Sequence, residues 1–340
     1  MRYACHGWLL SAALLLSGCS RGNQDVLNSA GIQAGRIEKL WWILFWVTLV
    51  VFVSVIGFLA RTMAGVNGDS LLLQKPERED QAKEHLLQTG VIASVAITVA
   101  IIFGLLVASI SAGKAMASLQ SKTPVTIEVV GHQWWWEVRY PDAVSSNVVF
   151  TANEIHIPVG TPVVLNSTSQ DVIHSFWAPN IQGKRDLIPG RLTTIWFQAD
   201  REGVFRGQCA EFCGHQHAHM SFLIVAEAPG KFQEWLRWQR RPAVEPTDEV
   251  TSRGRQVFLS HTCVMCHGIR GTDAGSKNGP DLTHIASRST LAAASIPNNR
   301  GYLAGWILDS QHIKPGNRMP QNPMASNDFQ ALLAYMETLQ

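Results

Sequence analysis

No basic tract runs through the 340 residues, and only 16% of them are charged with a formal net charge of +2, which argues against a general nucleic-acid binder. Two long apolar runs, residues 40–60 and 86–112, lack Asp, Glu, Lys, Arg and His altogether. Proton relays and metal centres inside a bilayer are built from such groups, so this chain by itself can carry neither through a membrane. Cysteine is scarce as well, six in all, and the settings of Cys5, Cys19, Cys209, Cys213, Cys263 and Cys266 leave no spare pair for a disulfide framework.

What is present falls into segments. Residues 1–18 have a short apolar stretch suited to an export signal, and Leu16-Ser17-Gly18-Cys19 resembles a bacterial lipobox, which would make Cys19 a lipid-bearing first residue. An ordinary signal with an incidental cysteine is the alternative. Residues 19–122 read as a transmembrane hairpin, because each apolar run is about the ~20 residues needed to span hydrocarbon. Export followed by two crossings puts everything after Lys122 outside the cytoplasmic membrane. Residues 123–230 change to short Val-, Ile-, Trp- and Thr-rich segments broken by Pro and Gly, which predicts an all-β Greek-key sandwich or barrel. A helix and linker fill 231–250. Residues 251–340 read as a small all-α unit ending in a helix over Asp328–Leu339.

The most informative segment is Cys209-Ala-Glu-Phe-Cys213-Gly-His-Gln-His217-Ala-His-Met220. Two thiolates, an imidazole and a thioether on one loop suit soft, polarisable copper, and two sulfurs allow a bridged pair of ions. The second histidine must come from elsewhere; His174 is the candidate. A structural disulfide between Cys209 and Cys213 is the leading alternative, although it leaves His217 and Met220 without a role, and a zinc site would not call for the methionine. Cys263-Val-Met-Cys266-His267 is a covalent haem c attachment motif. Two one-electron centres make electron transfer the expected work.

Taken together, Gly131-His-Gln-Trp134, Asp171-Val-Ile-His174, Asp186-Leu-Ile-Pro-Gly-Arg191 and the Cys209–Met220 loop resemble cytochrome c oxidase subunit II. The haem motif behind them resembles the branch with a fused C-terminal cytochrome c, the caa type. The resemblance implies a cupredoxin-like barrel and a class I cytochrome c domain. It implies a dinuclear copper A centre bridged by Cys209 and Cys213, with His174 and His217 on one copper each, Met220 axial to one and the Glu211 backbone carbonyl axial to the other. It further implies a magnesium ion on the Glu211 carboxylate at the border with oxidase subunit I, and a role for Trp134 in receiving electrons. Subunit I would hold haem a and the oxygen site, subunit III would accompany it, and a cytochrome or a quinol-oxidising complex would donate electrons. The chain departs from the family where His215 and His219 flank His217, which makes a ligand swap conceivable, and where Glu84 lacks the family's following motif.

Within the haem domain, Met319 in a Pro- and Gly-rich loop resembles the second iron ligand of class I cytochromes c, with Met324 the other candidate. His261, His284 and His312 are expected at the surface or in loops. Residues 123–230 carry six Lys and Arg against ten Asp and Glu, and residues 251–340 carry eight against five. Opposite signs favour docking of the haem domain on the copper domain, and raised salt is then expected to slow electron passage between them. Nitrous oxide and nitric oxide reductases use similar copper pairs, and a membrane-anchored copper-delivery protein is the reading of a different class.

Overall fold

The computed structural model describes residues 24–64, 81–117 and 124–340. The signal, Cys19 and residues 65–80 lie outside the described residues. Two helices, α1 (Ile32–Ala64) and α2 (Gln81–Ala117), contain the apolar runs. Both are long and apolar enough to cross a membrane. Their large side chains face outward, Phe52 at 59% and Ile92 at 69% exposure, which a core helix of a soluble protein would not show.

Ten strands follow: β1 (Val125–His132), β2 (Trp135–Tyr140), β3 (Val149–Ala152), β4 (Glu154–Pro158), β5 (Val163–Ser169), β6 (His174–Trp177), β7 (Arg185–Leu187), β8 (Thr193–Phe197), β9 (Gly203–Cys209) and β10 (Ser221–Glu227). They form two five-stranded sheets in the orders β3-β2-β1-β5-β8 and β4-β10-β9-β6-β7. β1 runs parallel to β5 and β4 parallel to β10, while the other neighbours are antiparallel, the crossed connectivity of a cupredoxin-like sandwich. Alternating residues enter the interior, so Ile127, Val129, Trp136, Val138, Phe176, Phe197, Phe222 and Ile224 pack as one core. Cys209, Cys213 and Met220 belong to the same cluster, which places the candidate ligands at the end of a rigid apolar body.

Residues 24–34, assigned from sequence to the hairpin, belong instead with the sandwich. Ala30 is buried in its core, the Ala30 N–H donates to the Asn180 carbonyl at 2.7 Å, and Gly31 pairs with Ala199. Short polar residues in this stretch concealed the association.

The Glu137 carboxylate on β2 is buried and accepts from Arg139 Nε at 2.6 Å and from His132 Nε2 at 3.0 Å. Burial raises its pKa, but the bonds to His132 and Arg139 outweigh burial and the net shift is downward. A folded pKa below the unfolded value means stabilisation that is complete above the unfolded value, roughly 4.3, and lost as pH falls through the folded one. Glu137→Gln is therefore expected to cost about 2 kcal/mol at neutral pH and progressively less below ~4, measured by thermal unfolding across that range.

After α3 (Pro229–Gln239) comes a helical domain: α4 (Glu249–Ser260), a two-strand ribbon β11 (Thr290–Leu291) and β12 (Ile296–Pro297), α5 (Arg300–Leu308), α6 (Ser310–Ile313) and α7 (Ser326–Thr338). α4 begins with Asp248 capping the Thr251 N–H at 2.9 Å. It crosses α7 at Gly254, where a Cβ would lie 2.0 Å from the Ala331 carbonyl oxygen, so only glycine admits this approach. Val257, Phe258, Leu303, Ile307, Phe329, Leu332 and Met336 form a second core. His284 lies in a loop as expected, but the loop is buried rather than at the surface; its ring is bonded to the Arg241 carbonyl at 3.1 Å and to the carbonyl of Gln340.

Candidate metal and haem sites

β9 ends at Cys209, and the chain turns through a loop to Met220 before β10 returns beside it. The Cys209 N–H donates to the Met220 carbonyl at 2.9 Å, which closes the loop. Inside it the Cys209 and Cys213 sulfurs stand 3.8 Å apart and unbonded. A disulfide requires about 2.05 Å, so the sulfurs are in contact but not joined. Cys209 Sγ lies 3.8 Å from His174 Nδ1 and 3.2 Å from the Glu211 carbonyl oxygen. Cys213 Sγ lies 3.6 Å from His217 Nδ1 and 3.8 Å from Met220 Sδ. Among the described residues, His174, Cys209 and Cys213 form the cluster whose ligand atoms all lie within 4.8 Å of one another.

The imidazole that faces the sulfurs is set by its neighbours. His174 on β6 is buried, and its Nε2 is bonded to Asp171 Oδ1 at 2.9 Å, which leaves Nδ1 toward Cys209. Burial would raise the Asp171 pKa, but the His174 bond and the N–H groups of Gln133 and Val172 outweigh it and hold the pKa down to about 2. Asp171 is thus an anion at neutral pH that orients the ring. The two thiols titrate as a pair. Contact with Cys213 draws the Cys209 pKa well down, helped by His174, and the adjoining Cys209 thiolate drives Cys213 up. The downward shift at Cys209 favours its thiolate, the form that binds metal, and metal binding would displace any remaining thiol proton.

His217 is half-buried and turned to the sulfur, whereas His215 and His219 are exposed. Trp134 donates from Nε1 to the Cys213 carbonyl at 2.9 Å, alongside Gln133 Nε2 at 2.8 Å. Trp136 is fully buried in the core. Asp186 pairs across from Ser175 with one carboxylate oxygen buried and unbonded. The Glu211 side chain is exposed, and no second acidic group joins it in a metal cluster among the described residues.

Sequence reasoning attached no role to Gly131. A Cβ there would sit 2.7 Å from His174 Cδ2, so the absent side chain makes room for the imidazole. Gly131→Ala is expected to displace His174 and weaken copper binding about tenfold, read as copper per chain under competition with a chelator.

In the helical domain, Cys263 lies within a short turn after α4 and Cys266 closes it, the first half-buried and the second exposed. His267 Nδ1 is bonded to the Pro280 carbonyl at 2.7 Å, an arrangement that leaves Nε2 for iron. Burial lowers the His267 pKa, which favours the neutral, ligating ring. Buried Arg288, whose charge is felt at His267, has an Nε without a partner, and so does the Thr290 hydroxyl; leftover buried donors fit a group that brings carboxylates. The Met319 loop is pinned: Ser310 Oγ and Gln311 Nε2 donate to the Met319 carbonyl at 2.6 and 2.7 Å, and its N–H donates to Asn317 at 2.7 Å. Met324 packs against the second core.

A family model for the periplasmic domain of cytochrome c oxidase subunit II matches residues 143–228, and one for cytochrome c matches residues 251–340. Cytochrome c oxidase subunit 2 of Alkalihalophilus pseudofirmus is 41% identical over 217 residues, 63% of this chain and 61% of the relative. The protein of the same name from Bacillus sp. (strain PS3) is 30% identical over 65% of this chain and 64% of its own length. That from Bacillus subtilis is 25% identical over 96% and 94%. The chain thus matches less than two thirds of the length of the first two relatives and nearly all of the third.

Proposed function

The chain belongs to the cytochrome c oxidase subunit II family, with a cytochrome c domain following the sandwich, and from that premise we propose that it is the electron-accepting subunit of a respiratory haem–copper oxidase. In this reading electrons would pass from haem c to a dinuclear copper A centre and on to haem a of the catalytic subunit, where oxygen would be reduced to water. The observation that carries it is the pair of unbonded sulfurs with an imidazole Nδ1 beside each.

His174, Cys209, Cys213, His217, Met220 and the Glu211 carbonyl would hold the copper ions, whose bound form supplies a one-electron centre with its charge spread over two thiolates. Cys263 and Cys266 would attach haem c, with His267 and Met319 as iron ligands. The apolar core behind Cys209, Cys213 and Met220 keeps water from the donors, and Asp171 holds His174 in place, so the ligand set is preorganised. Trp134, bonded to the Cys213 carbonyl, would serve as a contact for arriving electrons.

The exposed tip at Glu211 and Phe212, the latter 76% exposed, would face oxidase subunit I, which would complete a magnesium site on the lone Glu211 carboxylate. α1 and α2 would cross a bacterial inner membrane, with the sandwich and haem domain on the periplasmic side and a lipid on Cys19.

The test is purification of the intact complex. Two coppers per chain giving one shared mixed-valence resonance, together with haem a and oxygen uptake, is the expected result. The same resonance without haem a or oxygen uptake would move the chain to a nitrogen-oxide reductase, and copper readily lost to chelators would indicate delivery.

A further inference from the structure

The helical domain meets the sandwich beside the sulfur loop, through an unusual turn. Ala292, Ala293 and Ala294 have φ values of 54°, 59° and 55°, the left-handed region that costs a non-glycine residue on the order of 1 kcal/mol or more. Every carbonyl of the turn takes a donor. Ala292 accepts from Lys314 Nζ at 3.1 Å, Ala293 from the Ser221 N–H at 3.2 Å, and Ala294 from Arg206 Nη1 at 2.8 Å. Arg206 and Ser221 belong to the sandwich, and Ser221 directly follows Met220.

Lys314 is only 3% exposed, and its ammonium also donates to the His219 carbonyl at 2.9 Å and the Trp134 carbonyl at 3.4 Å. Its three N–H groups therefore have three acceptors, two of them on the sandwich. The next residues continue the contact. Pro315 accepts from Gln216 Nε2 at 2.6 Å, and Arg318 donates to Gln133 and lies 3.7 Å from Asp171, the carboxylate that orients His174. The segment leading to Met319 thus rests on the sulfur loop, on the turn between β1 and β2, and beside the carboxylate that orients His174.

We propose that these contacts hold the haem domain in one standing pose on the copper domain, with Lys314 and Arg206 as positioning residues for electron passage between the two centres. This rests on the electron-carrier reading above. The step moves one electron, haem iron being oxidised and the copper pair reduced, with no bond made or broken. Undocked, Lys314 would lose two acceptors and the strained turn two donors, so the strain and the buried cation are maintained only together with the pose. Salt screens exposed charges beyond roughly 10 Å, but a buried ammonium in contact with carbonyls is largely beyond its reach. The standing pose therefore replaces the expectation, drawn from net charges, that raised salt slows the transfer.

The experiment uses the full chain in its complex, with haem c photoreduced and its reoxidation by the copper centre timed. The parent rate is expected to change by less than about twofold from low to high salt. Lys314→Met, similar in length but without donors, and Arg206→Gln are each expected to keep both metal spectra, to transfer about tenfold more slowly and to become salt-sensitive. Hydrogen exchange at the Ser221 amide, slow in the parent, should quicken in both. A parent rate that falls steeply with salt overturns the proposal, as do variants with intact spectra that match the parent in rate and exchange. The amide readout needs neither metal nor haem, so the pose can fail while the electron-carrier reading stands, and the reverse.

Discussion

Cys213→Ser is expected to abolish the two-copper resonance and to lower oxygen uptake by the complex on the order of 100-fold. Cys213 is the hub of the site: its sulfur contacts Cys209 Sγ, His217 Nδ1 and Met220 Sδ, all within 3.8 Å. Serine has nearly the same shape but replaces a soft, polarisable thiolate with a hydroxyl that stays protonated, and one remaining sulfur cannot bridge two ions. His217→Asn should act in the same direction. His215→Asn and His219→Asn should leave the resonance intact, because both rings are exposed, and the contact His219 makes with Lys314 uses its backbone carbonyl. Retention of the shared resonance in Cys213→Ser would sink the bridged-pair assignment.

The second large effect is expected at the haem. Met319→Leu should convert a low-spin, methionine-ligated haem c to a form that binds carbon monoxide, with a lowered reduction potential, since a thioether favours the ferrous state. Met324→Leu should preserve the spectrum and cost less than about 1.5 kcal/mol of stability, the usual limit for a volume-conserving swap in a core. The reason for the contrast is local: the Met319 backbone is held by Ser310, Gln311 and Asn317, whereas Met324 packs with the apolar core. The opposite pattern of spectra would exchange the two roles.

Trp134 and Glu211 show where a motif conveys only part of a residue's setting. The sequence marks Trp134 as exceptional, but its bond to the Cys213 carbonyl links residues 79 positions apart. At Glu211 the backbone and the side chain separate, the carbonyl turned to Cys209 and the carboxylate left at the surface. His284 lies in a loop as its setting suggests, but a polar, loop-borne ring gives no sign that two distant carbonyls will bury it.

The sequence by itself determined the two apolar spans, the change to short strands, the haem motif and the sulfur loop. Each is a local pattern, readable from hydrophobic period or from ligands spaced within about a dozen residues. Only the tertiary structure decided what joins them. His174 meets Cys209 across 35 positions, Gly131 makes room for its ring, and Arg318 reaches Asp171 from the far domain. Such contacts depend on sheet order and domain docking, which are set by the packing of whole surfaces and leave no periodic trace in the chain.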